Sequence, residues 1–226
     1  MFPSDDMLVK SVEAQEHIKD LQEAFGTLKK HRMKLNPTKY TFGVASEKFL
    51  GFMVTQRGIE ANLEKIKAIL DMKHPLNKKE IQQLTGRVAA LSRFISKSAE
   101  RCLPFFKVLR QAKGFLWSDE CRPAFEDLKK YLASPPLLAK PKEAEVLYLY
   151  LAVSAEAVAS VLVKEDEEKI QRPLYYISKV LHGAEVRYMN LEKMIYALVI
   201  STQRLRPYFQ AHSVSVLSDQ PLRAML

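Results

Sequence analysis

The sequence predicts an α+β chain, and three observations carry that prediction. Short apolar runs of strand length lie before and after a middle block whose apolar residues recur every three or four positions. Pro135-Pro136 separates that block from the second set of strands. Those later strands are interrupted by a single helical stretch, which predicts an α/β unit with a mixed sheet.

Taken in order, residues 12–33 read as an amphipathic helix, with Ile18, Leu21, Phe25 and Leu28 on one face. Lys29, Lys30, His31 and Arg32 complement the dipole at its C-terminal end, and Asn36-Pro37 breaks it. Tyr40, Phe42 and Val44 alternate as a strand, and Ser46-Glu47 suits a turn. Residues 49–54 read as a second strand, with Gly51 marking a bulge or a close backbone approach. Asn62 is placed to cap a short helix carrying Leu63, Ile66 and Leu70. Asn77 with Glu80 resembles a capping box opening a helix with Ile81, Leu84, Val88, Leu91 and Ile95 on one stripe. A helix over 99–112 bears Phe105, Phe106 and Leu109, and Ser118 caps another holding Phe125, Leu128 and Leu132. Beyond the two prolines, 146–153, 158–163 and 173–177 read as strands, 191–205 as a helix with Leu191, Met194, Leu198 and Leu205 on one side, and 213–217 as a last strand.

The chain has 226 residues, enough for one large domain or two small ones, and its 47% hydrophobic content is ordinary for a globular protein. No apolar run approaches the ~20 residues needed to span a bilayer, and no basic stretch followed by an apolar one marks a signal peptide. An intracellular protein with no membrane partner is the expectation. The net charge of +9 suits a polyanionic partner, although a basic surface without a partner explains it equally well. Cys102 and Cys121 have no nearby His at ligand spacing and read as buried thiols of a reducing compartment. With 7 Gly, the chain has no Gly-rich phosphate loop.

Asp5 and Asp6 stand side by side before the apolar run Met7-Leu8-Val9. An adjacent acidic pair of this kind suits a hairpin that holds a divalent metal. Such a site needs a further ligand from elsewhere, so the pair is expected to be half of a site in a piece of a larger enzyme. The last sheet is likewise expected to be cut short.

The run Asp5-Asp6-Met7-Leu8-Val9-Lys10-Ser11 resembles the end of the catalytic hairpin of a reverse transcriptase, most closely the plant-like Ty3/Gypsy class of LTR retrotransposon Pol polyprotein. The family's preceding tyrosine is absent, since Pro3 and Ser4 precede the pair. Lys34-Leu35-Asn36-Pro37 leading to Phe42 is similar to the strand after the palm helix, and Phe49-Leu50-Gly51-Phe52-Met53-Val54 to the primer-grip hairpin. Leu84-Thr85-Gly86-Arg87 through Ser92-Arg93-Phe94-Ile95 and Leu103-Pro104-Phe105-Phe106 resemble the thumb. Phe115 and Trp117 with Ala124-Phe125 resemble the connecting helix, and residues 145–226 the first part of a retroelement RNase H domain, including Gln171-Arg172-Pro173 and Leu217-Ser218-Asp219-Gln220. The resemblance implies remnant palm hairpins and primer grip over 1–61, a helical thumb/connection over 62–136, and a truncated, degenerate α/β RNase H-like partial domain over 137–226.

The family's two reactions each use two metal ions, roughly 3.5–4 Å apart, clamped by carboxylates. For polymerisation, Asp5 and Asp6 match the hairpin pair, while the earlier palm aspartate, the fingers and the nucleotide pocket have no counterpart. For RNase H, alignment on Ser160-Val161-Leu162 sets Ala152 at the first acid, and Met194 takes the place of the helix glutamate. Glu192 lies about 200° around the helix from that place, and Glu156 falls in a turn. Only Asp219 matches a metal ligand, and one carboxylate cannot hold two metals. The resemblance therefore implies Mg2+ for the intact parent enzyme, an RNA-directed DNA polymerase with ribonuclease H, and none for this inactive piece.

Binding is the function that such a piece would keep. The implied partner is primer–template or an RNA–DNA hybrid, beside the remainder of the Pol polyprotein. Phe49, Leu50 and Gly51 at the primer grip, with Lys78, Lys79, Arg87, Arg93 and Lys97 along the thumb, are the candidates to meet backbone phosphates. Each cation alone is better explained as a solvated helix face, the set of them by phosphate binding, and Trp117, which could stack on a base, as a core residue. The alternative to a polymerase fragment is a non-enzymatic nucleic-acid-binding or structural remnant.

Overall fold

The structure, a computed structural model, describes residues 9, 11, 14–36, 47–49, 52–55, 58–111, 115, 117–218, 220 and 222. It divides into two compact units, Met1–Gln56 and Arg57–Leu226. The described residues fold as mixed helices and sheet, as the α+β reading expected.

In the first unit, helix α1 (Ala14–Lys30) carries Glu16 in its first turn and Lys29 and Lys30 in its last, the order that its dipole favours. It stops before Asn36-Pro37, with Arg32 in the left-handed region at φ 54° and Met33 N–H returning to the Leu28 carbonyl at 3.0 Å. The expected strand through Tyr40, Phe42 and Val44 lies outside the described residues. Residues 49–54 are not one strand. Strand β1 (Glu47–Phe49) pairs antiparallel with β2 (Phe52–Val54), and Phe49 opposes Phe52. Leu50 and Gly51, the place of the expected bulge or close approach, lie outside the described residues.

In the second unit, the short strand β3 (Ile59–Glu60) forms a bridge with Leu138 through bonds of 2.8 and 3.0 Å. Gly58 is required beside it, because a Cβ there would lie 2.2 Å from the Leu138 carbonyl oxygen. Helix α2 (Leu63–Leu70) is capped by Asn62, whose side chain accepts from Glu64 N–H at 2.9 Å. Helix α3 (Lys78–Leu91) is capped by Asn77, which accepts from Glu80 N–H at 3.0 Å. The return half of the box goes to the Leu76 N–H, at 2.8 Å from Glu80. Ile81, Leu84, Val88 and Leu91 form the buried stripe, but the helix tightens to a 3-10 turn at Ser92–Phe94 before Ile95.

The helix expected over 99–112 is two, α4 (Ser98–Arg101) and α5 (Leu103–Arg110), with Pro104 in the first turn of the second. Proline has no N–H to continue a ladder, so it starts a helix here. Helix α6 (Cys121–Ala133) begins later than a Ser118 cap requires; the Ser118 hydroxyl contacts the Cys121 thiol at 3.3 Å instead. Phe105 stacks on Trp117 at 5.8 Å, and Phe125 meets both edge-on, so Trp117 is a packing residue.

The sheet has strand order β6-β5-β4-β7, from β4 (Leu147–Val153), β5 (Ala157–Glu165), β6 (Gln171–Val180) and β7 (Val214–Leu217). Its first three strands are antiparallel and β7 runs parallel to β4, so the sheet is mixed as expected. Helix α7 (Asn190–Arg204) crosses it and is followed by α8 (Arg206–Ala211), which the sequence reading missed; Pro207 lies in the first turn of α8. Leu147, Leu149, Leu162, Leu174, Leu198 and Leu205 make the core between sheet and helices.

Candidate functional site

The ends of β4 and β7 lie side by side, because Tyr150 is the parallel partner of Leu217. Ala152 sits two residues beyond Tyr150, half-buried and opposite Ala159 of β5. The first turns of α7 reach both strand ends. Met194 is 9% exposed, and its sulfur accepts a hydrogen bond from the Ser218 hydroxyl at 3.5 Å. Lys193, 5% exposed, donates to the carbonyls of Ser154 and Ala155 at 3.3 and 2.9 Å, tying the helix to the β4–β5 turn. That turn is closed by Ser154, whose Oγ accepts from Ala157 N–H at 3.1 Å.

Ala152 and Met194 therefore both lie near the strand ends, but Ala152 alternates with Leu151 and Val153, which pack towards α7, and so faces the other side of the sheet; Asp219 lies outside the described residues. A methyl group and a thioether offer no oxygen to a hard cation such as Mg2+. Glu192 is engaged at the helix start, accepting from Met189 N–H at 2.8 Å. Glu156 pairs with Lys107 at 3.2 Å. Each thus has another partner in this structure. Among the described residues no three His, Cys, Asp or Glu side chains group to hold a metal. Asp5 and Asp6 lie outside those residues.

Beside this site, Lys179 on β6 donates to Glu185 at 2.8 Å, and both bond the Tyr196 hydroxyl of α7. Hydrogen bonds from Lys179 and then Tyr196 hold the Glu185 carboxyl down at about 2. Burial pulls Lys179 down, but its bonds to Glu185 and Tyr196 outweigh that and leave its ammonium raised overall.

The five candidate phosphate-binding cations differ in what they touch. Lys79 and Lys97 are exposed. Lys78 donates to the Gln111 carbonyl, and Arg87 to the Ala68 carbonyl at 2.6 Å. Arg93 is half-buried, with its guanidinium 4.6 Å over the Tyr175 ring and bonded to the Tyr208 hydroxyl at 3.1 Å. No local pattern announces this, since Tyr208 is 115 positions away. The Lys193 tether was legible in part: Lys193 shares a helix face with buried Ala197, four residues on. At the primer-grip position, Phe49 lies in β1, and Leu50 and Gly51 lie outside the described residues.

Residues 117–216, from just before α6 through the sheet into β7, match the family described as the RNase H-like domain found in reverse transcriptase. This region is similar to that RNase H-like domain. The chain is 28% identical over 207 residues to the Transposon Tf2-3 and Tf2-7 polyproteins of Schizosaccharomyces pombe, which covers 92% of this chain and 16% of each relative. The chain thus spans 16% of the length of those curated relatives. Its fold is that of a region of the foamy viral protease-reverse transcriptase. The complex of that protein with double-stranded DNA matches at TM-score 0.76 and 21% identity, over 95% of this chain and 38% of that one. The complex with an RNA/DNA hybrid matches at 0.75 and 21%, over 92% and 28%. Among the described residues no helix is long and apolar enough to cross a membrane.

Proposed function

We propose that this chain is part of a Ty3/Gypsy-type, plant-like retrotransposon reverse transcriptase. In this reading it supplies the C-terminal palm, primer grip and thumb of the polymerase, with an RNase H-like domain that binds primer–template and does not cut it. Mg2+ belongs to the intact parent enzyme, at the palm pair Asp5 and Asp6. The observation that carries the non-cutting assignment is the Met194–Ser218 contact at the end of β7, where an oxygen ligand would be needed. Ala152 at the end of the adjacent strand supports it. The net charge of +9 and the exposed Lys79 and Lys97 support binding.

The test is fluorescence anisotropy of the purified chain on a labelled RNA–DNA hybrid across a salt series, with a parallel cleavage assay in Mg2+ and Mn2+. Affinity is expected to fall as salt rises, because bound phosphates release counterions, and the hybrid is expected to stay intact. Cleavage that Asp219→Asn abolishes would overturn the non-cutting assignment. A second reading, a structural remnant without a ligand, is favoured by the protein carbonyls that already engage Lys78 and Arg87. A flat salt response would select it.

A further inference from the structure

We infer that Arg93 is a positioning residue, through which the RNase H-like sheet sets the orientation of helix α3 on a nucleic-acid duplex; this rests on the binding reading above. Arg93 lies two residues after the end of α3, in the 3-10 turn that leaves the helix. One side of its guanidinium lies over Tyr175 of β6, and one nitrogen donates to the Tyr208 hydroxyl of α8. Both tyrosines pack on the leucine core of the sheet. The same turn is held from the other side by Tyr131 of α6. Its hydroxyl donates to the Phe94 carbonyl at 3.0 Å and accepts from Ser96 N–H at 3.2 Å. Phe94 between them is fully buried.

Helix α3 does not pack continuously on the sheet. An open cavity of about 290 Å³ lies there, lined by Val88 and Ser92 of α3 and its turn, Ala99 of α4, Phe106 of α5, and Ser178 and Val180 of β6. Beside that space the Arg93 fork adds directional contacts between the turn and the sheet to the apolar packing of the buried α3 stripe. The outer face of α3 bears the exposed Lys79 and Arg87. A change in helix angle therefore moves those cations together relative to a rigid row of phosphates. A guanidinium engaged by two tyrosines is turned towards the sheet, so in this inference Arg93 acts on the duplex through α3.

The experiment compares wild type, Arg93→Ala, Arg93→Lys, Tyr208→Phe and Lys79→Ala in the full chain, alone and with Lys79→Ala combined with Arg93→Ala. It reads affinity for a labelled RNA–DNA hybrid over a salt series and the thermal unfolding midpoint. Loss of the cation–π contact and one hydrogen bond is expected to weaken binding about fivefold in Arg93→Ala. The salt slope should stay at the wild-type value. Lys79→Ala should reduce that slope by about one, and its effect should shrink when Arg93 is already replaced. Arg93→Lys should behave like Arg93→Ala, since Lys keeps the charge without the planar fork. Tyr208→Phe should show a smaller loss of the same kind in a chain that still folds. A reduced slope in Arg93→Ala would make Arg93 a direct phosphate contact and overturn the inference. Unchanged affinity in Arg93→Ala and Tyr208→Phe, with wild type still binding, would overturn it alone. Absence of salt-dependent binding by wild type would overturn both it and the binding reading.

Discussion

Met194→Glu is the most direct probe of the strand-end site. The side chain is 9% exposed and receives one hydrogen bond, from the Ser218 hydroxyl. Glutamate keeps most of the methylene packing, so losing the thioether end costs about 1 kcal/mol. The carboxylate brings a desolvation penalty of about 1–3 kcal/mol where it lacks full pairing. The Ser218 hydroxyl can donate to it and return about 1 kcal/mol. The expected loss of unfolding free energy at pH 7.5 is therefore about 2 kcal/mol.

Burial raises the folded-state pKa of the introduced carboxyl above its unfolded value of about 4.3. The penalty is thus absent below pH ~4.3 and develops as pH rises through the folded pKa. Urea denaturation of wild type and variant at pH 4.5 and 7.5, with and without Mg2+, measures this. A small deficit at pH 4.5, a larger one at 7.5 and no response to Mg2+ are expected. Full stability at pH 7.5, or recovery on adding Mg2+, would refute the reasoning, since either means that the strand ends still accommodate a metal-binding carboxylate.

Three further outcomes follow from the geometry. Gly58→Ala should destabilise the second unit by about 2 kcal/mol in chemical denaturation, because the added Cβ at 2.2 Å from the Leu138 oxygen forces backbone apart. An unchanged midpoint would show that the Ile59–Leu138 bridge bears no strain. Glu185, held at about 2 against its usual 4.5, contributes stability that is complete above pH 4.5 and lost as pH falls through 2. After discounting for solvent screening this amounts to about 1 kcal/mol, so Glu185→Gln should flatten the acid limb of the stability curve; an identical acid limb would exclude the network from acid unfolding. Burial pushes the Cys102 thiol up to about 12 against the opposing pull of Arg101, and Cys121 is also buried. Neither should react with a thiol reagent in the native chain, and both should react after denaturation; a fast-reacting native thiol would contradict this packing.

The starts of α2 and α3 were the most legible part of the fold, because Asn62 and Asn77 cap by local contacts that leave a short-range signature. The strands at β4 and β5 were equally plain, since buried strands read as long apolar runs. Breaks inside apolar stretches were not. Phe49 pairs with Phe52, so one apolar run conceals two strands. Pro104 and Pro207 start new helices after stretches whose periodicity continues across the break. At the site, the places of Ala152 and Met194 could be read by alignment, and the structure brings both towards the strand ends. The Arg93 contacts could not be read, because they join residues far apart in sequence, and a basic residue after an amphipathic helix looks the same whether it meets water, phosphate or tyrosine.

The parallel pairing of β4 with β7 has a consequence for synthesis. Strand β4 gains its antiparallel partner β5 within a few residues, but its other edge waits for Val214, roughly sixty residues later. At ~5–20 residues per second on the ribosome that edge stays open for several seconds. During that interval Leu147 and Leu149, buried in the finished sheet, stand on a strand with unpaired backbone groups. The nascent chain therefore passes through an obligatory aggregation-sensitive stage, and the helix pair α7–α8, made just before β7, is the element that can shield the sheet while it waits.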